Sequence, residues 1–172
     1  TEINESRMQI LEILKAIVKL NLPTIAIAPN SDPGNKQIFS TLLKYSKKYP
    51  QISLFENLPH SDYLGILKNC SMLIGNSSSG MIESNYYHIP VVNIGIRQQN
   101  RERGNNVIDV SNVKYNLILK AIKQGIKMKN SKKFKKIYGV GKTSKKIVKW
   151  LETINLDSKL IKKELVYWIK IK

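Results

Sequence analysis

A serine cluster with a glutamate a few residues beyond it is the stretch whose chemistry is most directly readable. The apolar run 72–74 is followed by Gly75 and small polar residues that include Ser77 and Ser78, and a helix is predicted to begin there with Glu83 near its head. The first N–H groups of a helix have no partner within it, and the helix dipole adds partial positive charge, so an anion can bind there. A carboxylate one turn further in can accept hydrogen bonds from two neighbouring hydroxyls, such as those of a ribose. The stretch therefore predicts a nucleoside diphosphate site.

Two other interpretations of the same stretch need no ligand. A strand, a turn and a helix capped by serine are ordinary features of α/β proteins. Asn76-Ser-Ser also matches the N-glycosylation pattern, although nothing in the sequence marks the chain as secreted. The ligand interpretation therefore depends on what the rest of the chain places beside the serines.

The composition limits the class of protein. The chain has 172 residues, 42% of them hydrophobic, which fits one domain or one lobe of a larger protein. Its single cysteine, Cys70, excludes a disulfide framework and a cysteine metal cluster within this sequence. No apolar run is long enough to span a bilayer, and residues 1–5 lack the character of a signal peptide. We expect a cytoplasmic protein with no membrane partner, no metal and no cofactor.

The formal net charge of +17 is the strongest compositional signal. Nucleic-acid binding is one explanation, with residues 127–149 as the basic module. The excess is mostly lysine, however, and few aromatic residues lie among the lysines as stacking platforms. We therefore expect solvated helix faces that attract a small anionic substrate rather than a nucleic-acid partner.

Apolar periodicity and turn residues predict alternating strands and helices, which fold as right-handed βαβ units into an α/β doubly wound parallel sheet. Loops that leave the carboxyl ends of such strands meet at one edge, where ligands bind. Side-chain caps are expected from Asn4, from Ser61 or Asp62, and from Thr143 or Ser144. Strands are predicted at 24–28, 52–55, 72–75, 91–94 and 107–110, and helices at 4–20, 35–48, about 61–70, from the serine cluster to about 87, 112–127, 143–154 and 157–171.

Several segments together resemble one enzyme family, the hydrolysing UDP-N-acetylglucosamine 2-epimerases of sialic acid synthesis. The resemblance covers roughly residues 1–150. It implies a GT-B architecture of two Rossmann-like lobes, of which residues 1–172 form a single C-terminal nucleotide-binding lobe. Its core would span about 1–127 and a helical extension about 128–172, and the N-terminal lobe would lie outside this chain. The segments that carry the resemblance are Ala28-Pro-Asn-Ser-Asp-Pro-Gly34, Ile74–Glu83, Ile89–Gln98, Arg101–Val110 and Tyr138-Gly-Val-Gly-Lys-Thr-Ser144.

The resemblance also implies the binding roles of individual residues. Ser77 and Ser78 would hold the diphosphate and Glu83 the uridine ribose. Arg97 would lie near the phosphates, a role that also suits a guanidinium, which binds paired oxygens in a fork. The loop 97–104 points to the hydrolysing branch, and its other two arginines, Arg101 and Arg103, are expected to be solvated. Two further residues would border the nucleotide: Asn30 through its side chain and Leu58 through its main chain, next to the uracil.

The implied reaction is loss of UDP from UDP-N-acetylglucosamine through 2-acetamidoglucal, followed by addition of water to give N-acetylmannosamine. The family's acids and bases belong mostly to the N-terminal lobe, so the catalytic residues are unknown here. Neither His60 nor His88 is our candidate, since His60 lies where the family contacts the nucleotide and His88 is expected in a surface turn. We expect this chain alone to bind UDP weakly with little or no turnover, and the full-length protein to be a homo-oligomer.

Two alternatives remain at this point. The C-terminal lobe of a GT-B glycosyltransferase also binds a nucleotide with a glutamate on the ribose, and the nucleic-acid module at 127–149 belongs to another class. A P-loop at Gly139-Val-Gly-Lys-Thr143 is not supported, because Lys136 stands where that motif needs glycine and no strand precedes it.

Overall fold

The computed structural model describes residues 6–31, 34–131, 134–139 and 141–155, and it alternates strands and helices along the chain. The chain divides into two compact units, Thr1–Tyr138 and Gly139–Lys172. In order, the elements are α1 (Ser6–Lys19), β1 (Thr24–Ile27), α2 (Asn35–Lys48), β2 (Ile52–Phe55), α3 (His60–Asn69), β3 (Leu73–Gly75), a 3₁₀ turn (Ser78–Gly80), α4 (Glu83–Tyr86), β4 (Val91–Ile94), β5 (Val107–Val110), α5 (Tyr115–Ser131) and α6 (Thr143–Thr153).

The five strands that the described residues form all pair in parallel, as the α/β prediction requires. β1 pairs with β2, with Thr24 opposite Ile52. β4 lies between β3 and β5, and its Val91 is opposite both Leu73 and Val107. The hydrogen-bonded ladders thus form two parts, β1–β2 and β3–β4–β5. The carboxyl ends within each part share one edge, so the loops after β3 and β4 leave side by side.

The core of the first unit has two clusters that share apolar side chains. One cluster packs α5 against β4, with Val92, Ile118 and Ile122 all completely buried. The other is centred on Leu14 of α1 and Ile52 of β2. The two clusters have three partly buried residues in common, and these join the two ladders into one packed body: Ile13, Leu22 and Ile74.

Replacing Ile122 by alanine is expected to lower the free energy of unfolding by about 3 kcal/mol, because it leaves a cavity between α5 and β4. Ile126 lies one turn later on the same helix and is 37% exposed. The same replacement there should cost about 1 kcal/mol or less, because less apolar area is lost from the core. Urea unfolding of both variants measures the difference, and equal losses would contradict this placement of α5.

Three predicted helix starts are corrected. α3 begins at His60 after Pro59, with no side-chain cap, so the caps expected from Ser61 or Asp62 are wrong. α6 begins at Thr143 after Lys142, again without a side-chain cap, and the cap expected from Thr143 or Ser144 is wrong as well. Asn4 and the helix predicted at 157–171 lie outside the described residues.

The third corrected start is that of α5, which begins at Tyr115 rather than at 112. Its first N–H group, that of Tyr115, donates to Oε2 of Glu12 on α1 at 2.9 Å. A residue 103 positions away thus supplies the cap, and local sequence patterns cannot reveal it. Of the helices that the structure describes, none combines the length and the apolar character that a bilayer crossing requires.

Candidate nucleotide-binding site

The serine cluster forms a tight turn at the end of β3. Gly75 ends that strand with φ of 146°, a backbone conformation that side chains other than hydrogen rarely permit. Ser77 then caps the 3₁₀ turn, because its Oγ accepts a hydrogen bond from the N–H of Ser79 at 3.3 Å. Its backbone oxygen accepts from the N–H of Gly80 at 3.0 Å. The cluster is therefore ordered by its own hydroxyl and amide groups.

The continuous helix predicted from this cluster to about residue 87 is wrong in form. The structure has the three-residue 3₁₀ turn and then α4, which is a single helical turn. The break lies between Gly80 and Glu83, where Oγ of Ser84 donates to the backbone oxygen of Gly80 at 2.6 Å and competes with a helical hydrogen bond. At the other end, His88 has φ of 58° and Pro90 follows, so α4 cannot continue.

The turn still offers groups that can bind an anion. Among the residues that the structure describes, the N–H groups of Ser77 and Ser78 donate to no backbone or side-chain acceptor. Both residues are exposed, so their hydroxyls are accessible as well. An amide that lies at the surface without a partner can donate to an anion. Phosphate oxygens can bind here through two amides and two hydroxyls.

Glu83 lies beside this turn as the first residue of α4. It is half-buried, and its Oε2 is buried without a hydrogen-bond partner in the described part of the chain. Tyr63 of α3 is attached to the turn, because its hydroxyl shares a hydrogen bond with Oγ of Ser79. Burial raises the pKa of Tyr63, and the nearby charge of Glu83 adds to this rise. The carboxylate therefore has an unused acceptor close to the serine turn.

The arginine-bearing loop after β4 is attached to the serine turn by one side chain. Nε2 of Gln98 donates to the backbone oxygen of Asn76 at 2.7 Å. This bond places Arg97, an exposed residue, in the segment next to the turn. The structure thus brings the segments of Ser77, Ser78, Glu83 and Arg97 to the same edge of the sheet.

The expectation for the other two arginines of this loop is half correct. Arg101 is exposed, as expected. Arg103 is not solvated: its side chain is 22% exposed and pairs with Oδ1 of Asp109 at 2.5 Å. Its guanidinium also donates to the backbone oxygens of Gln98 and, at 3.2 Å, Arg101. Arg103 therefore fastens the loop to β5.

Asn30 and Leu58 lie beyond the carboxyl ends of β1 and β2. Asn30 is exposed and Leu58 is half-buried. The N–H of Leu58 donates to Oδ1 of Asn57 at 2.9 Å, so a ligand that read this amide would displace that bond. Within the described residues no hydrogen bond joins either residue to the serine turn, and their contact with a nucleotide stays a prediction.

A comparison with known sequences now adds to this geometry. The sequence model of the family described as UDP-N-acetylglucosamine 2-epimerase matches residues 1–152. The chain belongs to this family. The UDP-N,N'-diacetylbacillosamine 2-epimerase (hydrolyzing) of Legionella pneumophila is 35% identical over 162 residues, which are 94% of this chain and 42% of that protein. The UDP-N-acetylglucosamine 2-epimerase of Neisseria meningitidis is 33% identical over 97 residues, covering 56% of this chain and 25% of that one.

A solved structure confirms the fold. The crystal structure of Methanocaldococcus jannaschii UDP-GlcNAc 2-epimerase in complex with UDP-GlcNAc and UDP superimposes with a TM-score of 0.67 at 21% identity. The match covers 86% of this chain and 41% of that one. The Rossmann-like lobe predicted from the sequence is thus confirmed. The chain spans less than half the length of these relatives of the 2-epimerase family.

The histidines and the cysteine of the chain lie in different surroundings. His60 is exposed at the start of α3. His88 lies in a turn, as expected, but it is half-buried and its ring stacks on Phe134 at 6.4 Å, so a surface position is wrong. Burial raises the pKa of the Cys70 thiol, which agrees with a structural cysteine rather than a nucleophile. No metal-binding cluster of His, Cys, Asp or Glu occurs within the described ranges.

The sequence alone suggested no role for three polar residues near the arginine loop. Gln98 is 3% exposed, and Asn93 is 1% exposed with its Nδ2 donating to Oδ1 of Asp109 at 2.7 Å. Asn93 and Asp109 line an open hollow of 560 Å³ at the carboxyl ends of β4 and β5. The position of Gln98 directly after Arg97 is the one sequence signal that could have drawn attention to it.

Proposed function

We propose that this chain is the UDP-binding half of a hydrolysing UDP-N-acetylglucosamine 2-epimerase. The observation that carries the proposal is the attachment of the Arg97 loop to the serine turn through Gln98, within a fold of the matching family. The full protein would release UDP from a UDP-2-acetamido sugar and give the free epimerised sugar. UDP-N-acetylglucosamine, converted to N-acetylmannosamine, is the proposed substrate.

In this proposal each group of the site has one task. The free amides and hydroxyls of Ser77 and Ser78 bind the diphosphate. Arg97 adds a guanidinium that pairs with phosphate oxygens. The carboxylate of Glu83, a half-buried residue, accepts the ribose hydroxyls, and the lack of a hydrogen-bond partner for its Oε2 in the described residues supports this role. Asn30 and the main chain at Leu58 border the nucleoside.

The same groups would assist the loss of UDP. As the bond between the sugar and the diphosphate breaks, negative charge grows on the diphosphate. Donors that are already oriented toward that charge lower the barrier without reorganising. The remaining steps are proton transfers at sugar carbons and the addition of water, and they need acids and bases. We assign those groups to a second lobe, as the family resemblance implies; in this chain His60 is exposed on α3 and His88 is stacked on Phe134.

The finer parts of the proposal follow from the same assignment. The full-length protein would be a cytoplasmic homo-oligomer and would serve sialic acid synthesis. A diacetylated UDP-sugar is a second candidate substrate, because the Legionella pneumophila relative is named for N,N'-diacetylbacillosamine. The shared chemistry is a UDP-linked 2-acetamido sugar. A GT-B glycosyltransferase lobe and a nucleic-acid module are less well supported, since neither explains the family match over residues 1–152.

Product analysis tests the proposed reaction. The chain alone and the chain joined to its upstream lobe are incubated with UDP-N-acetylglucosamine, and UDP and free sugar are separated by chromatography. We expect release of UDP and N-acetylmannosamine from the two-lobe protein and little or none from this chain alone. Steady turnover by this chain alone would contradict the assignment of the catalytic acids and bases to a second lobe. A two-lobe protein that releases no UDP from either candidate sugar would contradict the proposed function.

A further inference from the structure

Gln98 is buried in a loop whose neighbouring residues are exposed. Its side chain is 3% exposed, whereas Arg97 and Gln99 on either side are exposed. A long polar side chain is rarely buried without hydrogen-bond partners, because removing it from water costs free energy that hydrogen bonds must offset. The partners of Gln98 therefore indicate what it does.

The Nε2 group of Gln98 donates to the backbone oxygen of Asn76 at 2.7 Å. That oxygen belongs to the peptide bond whose N–H is the amide of Ser77. Since a trans peptide is planar, fixing the direction of its oxygen also fixes the direction of its N–H, which points the opposite way. A hydrogen bond to the oxygen also polarises the peptide and makes the N–H a better donor.

The other end of Gln98 is held from the opposite side. Its backbone oxygen accepts a hydrogen bond from Nη2 of Arg103. Arg103 pairs with Asp109 at 2.5 Å, and Asp109 in turn accepts from Asn93 of β4 at 2.7 Å. The position of Gln98 is thus set by β4 and β5, which are adjacent strands. Its bond to Asn76 therefore attaches the serine turn to the sheet.

The hydrogen bond between Gln98 and Asn76 contributes little to the stability of the fold. The Oε1 atom of Gln98 is buried and has no partner among the described residues. A half-satisfied buried amide stabilises a fold less than an apolar side chain of the same size. Its presence next to the proposed diphosphate site therefore favours a role in binding.

We propose that Gln98 is a positioning residue, which aims the Ser77 amide at the diphosphate and holds the Arg97 segment beside it. The proposal rests on the proposed function, since it needs UDP as the ligand. Gln98 itself touches no part of the nucleotide. It acts by orienting groups that do, so its loss should weaken binding of phosphates and leave the nucleoside unaffected.

The test replaces Gln98 by methionine, which keeps the length and shape and removes the donor. Titration of the 172-residue chain with UDP should show affinity about tenfold weaker than wild type, the loss expected for one hydrogen bond to a charged group. Binding of uridine, which has no phosphate, should stay within error, and the melting temperature should not fall. Gln99→Met is the matched control and should bind UDP as the wild type does.

The outcomes separate this inference from the proposed function. If Gln98→Met binds UDP as tightly as the wild type, the positioning role is overturned while UDP binding stands. If the variant loses uridine and UDP affinity equally, its role is general to the fold and the inference fails. If the wild type binds no UDP, both proposals fail together. Should the methionine variant not fold, Gln98→Asn, too short to reach Asn76, is read by the same criteria.

Discussion

Alanine at position 104 is expected to lower the free energy of unfolding by about 3 kcal/mol or more, the range of severe core overpacking. A Cβ atom there would lie 2.1 Å from Nδ2 of Asn85 and 2.6 Å from Oδ1 of Asn106. Both asparagines are buried, at 1% and 0% exposure, so neither has room to move. The clash would break a buried amide network and leave polar atoms unpaired.

The network that Gly104 protects joins distant parts of the chain. Nδ2 of Asn85 donates to Asn106 at 3.1 Å and to the backbone oxygen of Lys135 at 3.0 Å. Its Oδ1 accepts from the N–H of Ile137 at 3.0 Å, so one side chain pairs with the backbone as a neighbouring strand would. Asn106 also donates to the backbone oxygen of Ile89 at 2.8 Å. These bonds fix α4, the helix that begins at Glu83.

Gly65 is the matched control for this prediction. It lies within α3, and a Cβ atom there would meet nothing within 4 Å. Alanine at this position should stabilise the chain by about 0.5–1 kcal/mol, because glycine disfavours helices. Chemical denaturation of both variants measures the contrast. A Gly104→Ala variant as stable as the wild type would contradict the placement of the two asparagines.

Replacing Glu83 by alanine is expected to weaken UDP binding by about 10- to 100-fold, the loss of one or two hydrogen bonds to a charged group. The unfolding free energy should not fall, because the variant removes a buried carboxylate oxygen that has no partner in the described residues. Loss of affinity without loss of stability distinguishes a binding group from a structural one. Calorimetric titration and thermal unfolding of the same samples provide both values.

The ribose supplies an independent check on Glu83. With a UDP analogue that lacks both ribose hydroxyls, the wild type and Glu83→Ala should bind with equal affinity, since the partners of the carboxylate are gone. Glu152→Ala removes an exposed carboxylate on α6 and should change neither titration. If Glu83→Ala weakens binding of the dideoxy analogue as much as binding of UDP, Glu83 does not act on the ribose hydroxyls.

Local patterns were sufficient for the strands and most helices. Each strand is a short apolar run between turn residues, such as Val91–Ile94 after Pro90. This pattern is enough to predict a buried strand of a parallel sheet. The serine turn could be located for the same reason, because Gly75 and small polar residues follow an apolar run. Adding Arg97 to the serines and Glu83 required the family resemblance, which brought in the spacing between separate loops.

The remaining features depend on contacts between residues far apart in sequence. The start of α5 is set by Glu12, and the half-buried position of His88 by its contact with Phe134. Arg103 looked like a solvated loop residue, yet its three acceptors come together only when β5 lies beside the loop. The broken helix after the serines reflects competition between side-chain and backbone hydrogen bonds, and a single sequence does not show which one prevails.

The most direct measurement of the central claim is a calorimetric titration of the 172-residue chain with UDP, UMP and uridine. If the serine turn binds the diphosphate, UDP should bind at one site at least about tenfold more tightly than UMP, because a further phosphate meets free amides and Arg97. Uridine should bind most weakly of the three. A folded chain that gives no heat with UDP, or that binds UDP and UMP equally well, would contradict the account.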